Sequence, residues 1–318
     1  MKNVVIFGGG TGMSQILKGL KSFPLNVTAV VSVADNGRST GALRKIYDIP
    51  AVGDITKVLL TMRNNDDNIK ELLNYRIKGL NSQNEYNHSI KNLILTALID
   101  IKGNLSDAVI EFCNIFDIQG TVLPLTEENV NLVAKMSDGK IIVGEDEITD
   151  AKKSIDTIWY DKKFEVNPAV LKKIESANLI IFSPGSLYTS ILPHLMTADV
   201  AEAIKKSKAK KMYICNLVTQ PGETMNFKVS QHVNILLKYL GKRGLDVVMA
   251  NKYKISKALT NKYETREQKY PVILDEKKLS EMGIKVIADK LYKIEDSMIR
   301  HDSLKTAYLV YSYLMGDK

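Results

Sequence analysis

The chain has 318 residues, of which 45% are hydrophobic and 25% are charged, and its formal net charge is +8. This apolar content excludes a disordered chain and allows a sizeable buried core. Cys113 and Cys215 are too few for a disulfide framework and lack metal-ligand spacing, which favours a reducing cytosol. Residues 1–8 lack the features of a signal peptide and no apolar stretch reaches ~20 residues, so we expect a cytoplasmic protein without membrane insertion.

The first elements along the chain form a strand, a glycine turn, a helix and a second strand. The apolar run Val4–Phe7 predicts a strand that is buried on both faces. Residues 8–12 interrupt it, and apolar residues at helical spacing then predict a helix over 13–20. Valines within 26–35 predict a second buried strand. This unit is typical of a Rossmann-like, doubly wound, mainly parallel α/β sheet.

The middle of the chain departs from this α/β alternation. Helices are predicted over 55–60, 68–78, 89–101 and 105–116, followed by short strands over 121–125, 132–136, 140–143 and 155–160. We interpret the region at roughly 63–165 as a helical and antiparallel portion inserted into one α/β domain that spans 1–318, because no linker divides the chain.

Strands and helices alternate again after the insertion. Strands are predicted over 179–182, 211–218, 247–250, 272–274 and 286–287, with helices over 200–207, 233–240 and 304–314. Ligands of open α/β sheets bind at the carboxyl ends of the strands. The loops at these ends are therefore the candidate sites.

The first candidate is the glycine-rich loop Gly8–Gly12, whose site residues are Gly9, Gly10, Thr11 and Gly12. Glycines let the backbone approach a phosphate closely, and the helix start offers free N–H groups. The loop is neither a P-loop nor the dinucleotide fingerprint, because Met13 stands in place of the third glycine. The alternative is a tight turn without a ligand.

The second candidate runs from Asp35 to Gly41, with Asp54 shortly after it. Asp35 ends the second strand, where a carboxylate can accept a ribose hydroxyl or hold Mg²⁺ beside a phosphate. Arg38 and Arg44 are candidates for pairing with phosphate oxygens. Asp54 is either a site residue or only the N-cap of the helix that follows.

The third candidate is the hydroxyl-rich loop at 183–190, which contains Gly185 and Ser186. It lacks the Gly-x-Ser-x-Gly pattern of a nucleophile elbow, so it indicates an anion-binding loop or a polar turn and not a hydrolase. Asn251 follows a later strand in the same way. His88 lies at a helix start near Asn92, and Arg300 and His301 precede the last helix.

The excess positive charge has no accompanying nucleic-acid motif. The strongest run, Lys205–Lys211, lies at a predicted helix end, and no aromatic interleaving or helix-turn-helix pattern accompanies it. We therefore interpret it as a solvated face and predict no nucleic-acid partner. The few arginines beside the loops favour a small diphosphate ligand instead.

Taken together, these segments resemble the YvcK-like gluconeogenesis factor proteins of the CofD/YvcK superfamily, which includes the 2-phospho-L-lactate transferase. The resemblance rests on residues 8–14, 32–41 and 50–54, and on His88-Ser89 with Asn92-Leu93. It continues through 179–193, 215–224 and 300–302, in the family's order. It implies a Rossmann-like fold and a nucleotide-sugar ligand of the UDP-N-acetylglucosamine type. It further implies a role in growth on gluconeogenic carbon and in cell shape through peptidoglycan synthesis, with cell-wall synthesis proteins and a second copy of the chain as candidate partners.

Three positions depart from the family pattern. The second loop usually reads Asp-Asp-Gly-Gly in the family, whereas this chain has Asp35-Asn36-Gly37-Arg38. Losing one carboxylate weakens a two-carboxylate metal site, although one carboxylate can still hold Mg²⁺ through water. Lys91 stands where relatives commonly have glycine. The lost carboxylate and the cation that Arg38 adds to this loop favour binding with little metal over transfer chemistry.

Our first hypothesis is a nucleotide-sugar-binding regulatory protein without an assigned catalytic residue. The glycine loop binds the diphosphate, Ser186 adds hydrogen bonds, Asp35 contacts a ribose hydroxyl or a metal, Arg300 neutralises the diphosphate, Asn251 contacts the base and Tyr263 stacks on the base or sugar. The remaining candidate binding residues are Asn36, Arg38, Ser39, Asp54, His88, Asn92, Gly185 and Asn216.

Two other functions stay open from the sequence. One is a transferase that moves a phospholactyl-like group from a nucleotide diphosphate carrier to a hydroxyl, with Asp35 or His301 as the base and Mg²⁺ as a possible cofactor. The other is an NAD(P)-binding protein, which Met13 disfavours.

Overall fold

The computed structural model describes residues 1–64, 68–77 and 87–316. The strands in chain order are β1 (Lys2–Gly8), β2 (Leu25–Val31), β3 (Thr121–Pro124), β4 (Leu132–Met136), β5 (Ile141–Val143), β6 (Ile155–Tyr160), β7 (Leu179–Phe182), β8 (Lys210–Ile214), β9 (Val247–Asn251), β10 (Lys285–Asp289), β11 (Tyr292–Glu295) and β12 (Met298–His301).

The helices surround these strands. In chain order they are α1 (Gly10–Leu20), α2 (Arg38–Tyr47), α3 (Gly53–Met62), α4 (Asn68–Asn74), α5 (Ile90–Lys102), α6 (Leu105–Ile115), α7 (Glu145–Asp150), α8 (Pro168–Glu175), α9 (Leu192–Leu195), α10 (Ala198–Lys206), α11 (Val229–Leu240), α12 (Lys257–Glu267), α13 (Glu276–Glu281) and α14 (Ser303–Met315), with a π-helical turn at Leu187–Ile191.

The central sheet has seven strands in the order β10-β9-β8-β7-β1-β2-β3, and all its pairings are parallel. The interior strand β1 shows why both faces of the sheet are covered. Val4 and Ile6 pack into one apolar cluster, whereas Val5 and Phe7 pack into another on the opposite face. Because side chains alternate across a strand, a continuous apolar run is required when helices cover both sides. The α/β fold class predicted from the sequence is confirmed.

The strand order reverses direction between β1 and β7. The chain leaves β1 towards β2 and β3 on one side, and later continues from β7 towards β8, β9 and β10 on the other side. Loops that leave adjacent strands in opposite directions separate at such a point and open a crevice at the carboxyl edge of the sheet. The loops that follow β1 and β7 are the two at this crevice.

The segment predicted as an insertion contributes a strand to the central sheet. Helices α4–α6 come first, then β3 pairs with β2, and then β4–β6 form a separate antiparallel sheet in the order β5-β4-β6. The last residue of the helix predicted over 68–78 lies outside the described residues. That the whole chain is a single domain stays a prediction.

The first and last helices of the chain pack against each other. A Cβ on Gly19 of α1 would lie 1.9 Å from the carbonyl oxygen of Ser303, at the start of α14. Ala307 of α14 faces the same position and is fully buried. Only glycine permits this close approach of two backbones, so this contact fixes the C-terminal helix on the N-terminal unit.

The structure corrects several sequence-based expectations. The second candidate loop, predicted over 35–41, ends earlier than expected, because residues 38–41 begin α2. The buried face of α2 is largely polar and therefore lacks an apolar stripe. The predicted strand over 272–274 is wrong, since the described backbone there makes only an isolated bridge between Val218 and Pro271. Helix α12 was missed because Tyr263 is its only buried residue.

Candidate functional site

A cavity of about 430 Å³ lies at the carboxyl edge of the sheet, above β1 and β7. We call it the switch-point cleft. Loops after β1, β2, β7 and β8 line it, together with the end of β12. The lining residues are Gly9, Gly10, Thr11, Gly12, Gln15, Asp35, Asp54, Glu145, Thr149, Pro184, Gly185, Ser186, Thr189, Ser190, Asn216, Leu217, Val218, Gln220, Lys269, Ile299, Arg300 and His301.

The glycine loop forms one wall of the cleft, as its position after β1 predicts. Gly9 precedes α1 and has no side chain to cap it. Gly12 is required by packing within the protein, because a Cβ there would lie 1.8 Å from the carbonyl oxygen of Pro184. The loops after β1 and β7 are therefore in backbone contact, and the start of α1 is held at the cleft.

The loop after β7 forms the opposite wall and is held by side chains from the next loop. The Gly185 N–H donates to Asn216 Oδ1 at 2.8 Å, and Asn216 Nδ2 donates to the Gly185 carbonyl oxygen at 2.6 Å. Ser186 caps the π-helical turn by accepting from the Thr189 N–H at 2.9 Å, and its hydroxyl donates to Glu223 Oε2 at 2.5 Å. Asn216 and Ser186 thus shape the loop that lines the cleft.

Carboxylates concentrate in and beside the cleft. Burial, with the charge of Asp54 next, raises the pKa of Asp35 to about 6. Burial, followed by the charge of Asp35, raises the pKa of Glu145 to about 8. Burial also raises the pKa of Asp54 and that of Glu223. Glu145 was not predicted as a site residue, because it begins the short helix α7 and follows no strand of the central sheet. Glu223 lies in the segment 215–224 after β8, which carries part of the family resemblance, but was not singled out.

Asp54 is not a helix cap. Val52 occupies the N-cap position of α3, and the carboxylate of Asp54 accepts a hydrogen bond from the Gly10 N–H. It therefore links α3 to the glycine loop, which rules out the cap alternative and leaves Asp54 as a lining residue.

The carboxylates do not form a protein-built metal site. Within residues 1–64, 68–77 and 87–316, no group of three or more His, Cys, Asp or Glu side chains could hold a metal ion. Asp35 also accepts the Gly37 N–H at 2.9 Å. The metal role expected for Asp35 would therefore need water and ligand oxygens to supply most of the coordination.

A second cavity of about 400 Å³ adjoins the cleft and shares Asp35 and Asp54 with it. We call it the basic cavity, because Arg38, Lys57, Arg76 and Lys91 line it. Further lining residues are Gly37, Ser39, Thr40, Gly53, Ser89, Asn92 and Asp146.

His88, Asn92 and Asn36 are held by protein partners near these cavities. Ser39 Oγ and His88 Nδ1 are 2.9 Å apart, and Thr56 Oγ1 donates to Asn92 Oδ1 at 2.7 Å. Asn36 Nδ2 donates to Glu147 Oε2 at 2.7 Å, and Asn36 Oδ1 accepts the Asp146 N–H at 2.9 Å. His88 and Asn36 are outside both sets of lining residues and join segments around the site.

The structure contradicts the phosphate-pairing role of Arg44. Its buried guanidinium donates to the carbonyl oxygens of Ala34, Asp35 and Val130, and to the side chains of Asn129 and Asn131. All three nitrogens are engaged, so Arg44 positions the loop that carries Asp35.

Tyr263 and Asn251 also differ from their predicted roles. Tyr263 is buried, and its hydroxyl accepts the Ile299 N–H at 2.8 Å. Asn251 Nδ2 donates to the Tyr253 carbonyl oxygen at 2.7 Å, and Asn251 Oδ1 accepts the Leu291 N–H at 3.2 Å. Neither lines the cleft, so base stacking by Tyr263 and base contact by Asn251 do not fit. Tyr263 instead supports the strand that ends in Arg300 and His301.

Arg300 and His301 both line the cleft, as expected. Arg300 is half-buried and forms no ion pair within the part of the chain that the structure describes. His301 is buried, and its ring lies beside the backbone of Cys215, which partly offsets the effect of burial on its pKa. Burial lowers the pKa of His301 to about 4, so its imidazole is neutral at physiological pH.

The raised pKa of Glu145 predicts a pH-dependent cost to stability. The pKa of Glu145 in the folded protein, about 8, exceeds the ordinary value of 4.5. The contribution of Glu145 to the free energy of unfolding is therefore fully favourable below about pH 4.5 and is lost as the pH rises towards 8. Glu145→Gln keeps an acceptor for Thr189 but cannot ionise. As the pH rises from 5 to 8, its free energy of unfolding should increase relative to that of the wild type by on the order of 2 kcal/mol, after allowance for the partial exposure of Glu145. Urea unfolding at both pH values measures this, with Asp156→Asn on the surface as the control. An equal change in both variants would contradict it.

The fold defines an α/β protein with a cleft at the carboxyl edge of a parallel sheet, where the strand order reverses. The family model of 2-phospho-L-lactate transferase CofD matches residues 4–292. The chain therefore belongs to the CofD family.

Curated relatives match this chain over almost its whole length. The gluconeogenesis factor of Bacillus subtilis is 39% identical over 312 residues, covering 98% of this chain and 98% of the relative. The gluconeogenesis factor of Halalkalibacterium halodurans is 38% identical over 308 residues, covering 96% of this chain and 94% of the relative. A crystal structure of a UPF0052 family member from Bacillus halodurans matches with a TM-score of 0.92 at 37% identity, covering 98% of this chain and 99% of that chain.

No helix within residues 1–64, 68–77 and 87–316 has the length and apolar content needed to cross a membrane.

Proposed function

We propose that this chain is a gluconeogenesis factor that acts by binding a nucleotide sugar of the UDP-N-acetylglucosamine type in the switch-point cleft. In this proposal it is a cytoplasmic regulatory protein that supports cell shape and peptidoglycan synthesis during growth on gluconeogenic carbon. The names of the full-length relatives support the first part. The observation that carries the ligand class is the cleft itself, where the start of α1 lies opposite the Gly185 loop and beside Arg300.

The charges of the cleft explain how a diphosphate could be accepted there. The positive dipole end of α1, with the N–H groups of Thr11 and Gly12 beyond the Gly10 N–H that Asp54 accepts, favours phosphate oxygens. Arg300 offers a planar set of donors without a competing ion pair among the described residues. Burial raises the pKa of Asp35 to about 6 and that of Glu145 to about 8. Their protonated forms would repel a diphosphate less and could donate hydrogen bonds to it.

Arg300→Gln provides the direct test of the proposed ligand. We expect UDP-N-acetylglucosamine to bind the wild type and Arg300→Gln to bind it about tenfold to a hundredfold more weakly, because a charge-assisted contact is lost. Isothermal titration calorimetry measures both affinities. The control is Arg243→Gln, an exposed arginine before β9 at the opposite edge of the sheet. Absence of binding at millimolar ligand, or equal affinities in both variants, would refute the proposal.

A transferase remains a second candidate because of one specific observation. The buried, neutral imidazole of His301 lines the cleft, and a base of this kind could accept a proton from an acceptor hydroxyl. Metal-dependent turnover of a nucleotide diphosphate carrier with a hydroxyl acceptor, lost in His301→Gln, would favour it. Inertness across a panel of acceptors would favour binding alone.

A further inference from the structure

The basic cavity has the features of an anion site that the proposed nucleotide sugar does not require. Its four cationic side chains come from four separate places in the chain. Arg38 begins α2, Lys57 lies on α3, Lys91 lies in the first turn of α5, and Arg76 forms an isolated bridge with Ser89, just before α5. The arrangement is therefore a product of the fold and not a single run of basic residues.

These cations are not neutralised by ion pairs. Within the described ranges, no carboxylate lies within ion-pair distance of any of the four. Lys57 Nζ donates to Thr11 Oγ1 at 2.5 Å and Lys91 Nζ to Asn74 Oδ1 at 2.8 Å, both neutral acceptors. Burial, then the charges of Lys57 and Arg76, lowers the pKa of Lys91 to about 8. The cations therefore repel one another, and an anion between them would relieve this repulsion.

The carboxylates of the cavity leave room for such an anion. Asp54 accepts the Gly10 N–H, Asp35 accepts the Gly37 N–H, and both also line the cleft. The charges of Lys57 and Lys91 partly offset the rise that burial causes in the pKa of Asp54. Asp146 is exposed at the rim. The cations thus outnumber the carboxylates around the cavity.

Ser89 gives an independent indication of a ligand. It lines the basic cavity, is only 1% exposed, and its hydroxyl has no hydrogen-bond partner among the described residues. A buried hydroxyl without a partner is costly, because it has lost its water without gaining a replacement. A ligand oxygen in the cavity would supply that partner.

We propose that the basic cavity binds a phosphate group that does not belong to the nucleotide, held by Lys91, Arg38, Lys57 and Arg76 and accepting a hydrogen bond from Ser89. Its ligand class is inorganic phosphate or the phosphomonoester of a second small molecule. The inference rests on the proposed function only in taking the adjoining cleft as the nucleotide site. Three or more charge-assisted donors around one oxyanion are the usual composition of a phosphate site.

Calorimetry with inorganic phosphate tests this assignment at neutral pH and constant ionic strength. Lys91→Met and Arg38→Gln should each weaken phosphate binding about tenfold, as expected for the loss of one charge-assisted contact. Lys208→Met, on the exposed basic run before β8, is the matched control and should leave it unchanged. Circular dichroism of all variants verifies that they are folded. Equal affinities in the wild type and both cavity variants would overturn the inference.

Two further titrations separate the possible outcomes. Phosphate should still bind when UDP-N-acetylglucosamine is saturating, whereas mutual exclusion would mean that phosphate occupies the nucleotide cleft and would overturn the inference. Tighter binding of glucose 6-phosphate than of inorganic phosphate, with the same dependence on Lys91, would identify a phosphomonoester as the ligand. If the nucleotide sugar fails to bind but phosphate binding depends on Lys91, the proposed function fails and the phosphate site stands.

Discussion

Gly12→Ala is expected to destabilise the protein by about 3 kcal/mol and to abolish ligand binding in the switch-point cleft. A Cβ at this position would lie 1.8 Å from the carbonyl oxygen of Pro184, and that atom belongs to backbone that cannot move independently of its loop. The loops after β1 and β7 would have to separate. Because these loops are the two walls of the cleft, one methyl group would disturb both stability and the site.

Urea unfolding and calorimetry with UDP-N-acetylglucosamine measure the two effects of Gly12→Ala. The control is Gly283→Ala, where no atom lies within 4 Å but the φ angle is +73°. That variant has backbone strain without a clash, so its loss should be about 1 kcal/mol. If Gly12→Ala were no less stable than Gly283→Ala, the loops would not be in the tight contact described.

Arg44→Met is expected to lower the free energy of unfolding by about 3 to 5 kcal/mol, because it leaves several buried acceptors without a donor. Methionine keeps most of the apolar stem but removes the donors to the carbonyl oxygens of Ala34, Asp35 and Val130. The loop that carries Asp35 into the cleft would lose its fixed position. Ligand affinity should therefore fall together with stability.

The neighbouring lysine provides the matched control for this prediction. Lys45→Met also removes one positive charge, but from the exposed face of α2, and should alter the free energy of unfolding by less than about 0.5 kcal/mol. The stability of Arg44→Lys should lie between those of Arg44→Met and Lys45→Met, since lysine keeps the charge but not the planar set of donors. Equal stability of Arg44→Met and Lys45→Met in urea unfolding would contradict the role assigned to Arg44.

Much of the fold follows from local sequence patterns. The runs Val4–Phe7 and Leu179–Phe182 are buried strands, as their continuous apolar character predicts. The rule that loops meet at the carboxyl ends of parallel strands then predicts that Gly9–Gly12, Asp35 and Gly185 lie close together, and all of them line the same cleft. That they bind a nucleotide sugar stays a prediction.

The rest of the site depends on tertiary contacts that local patterns do not contain. Glu145 comes from the short helix α7 between two small antiparallel strands, and nothing in its neighbourhood indicates the distance to Asp35. Arg44 was misassigned because an arginine near a loop looks the same whether it contacts a ligand or buried carbonyl groups. The glycines were interpreted as space for a phosphate, whereas at Gly12 the neighbour that requires glycine is Pro184.

The packing of α1 against α14 has a consequence for how this chain is made. A ribosome adding 5 to 20 residues per second needs roughly 15 to 60 s to proceed from Leu20 to Ser303. During that interval the face of α1 that includes Gly19 has no α14 to cover it. We expect the N-terminal unit to await its partner helix on the ribosome, and nascent chains arrested before Ser303 to bind chaperones or aggregate more readily than chains that extend past Met315.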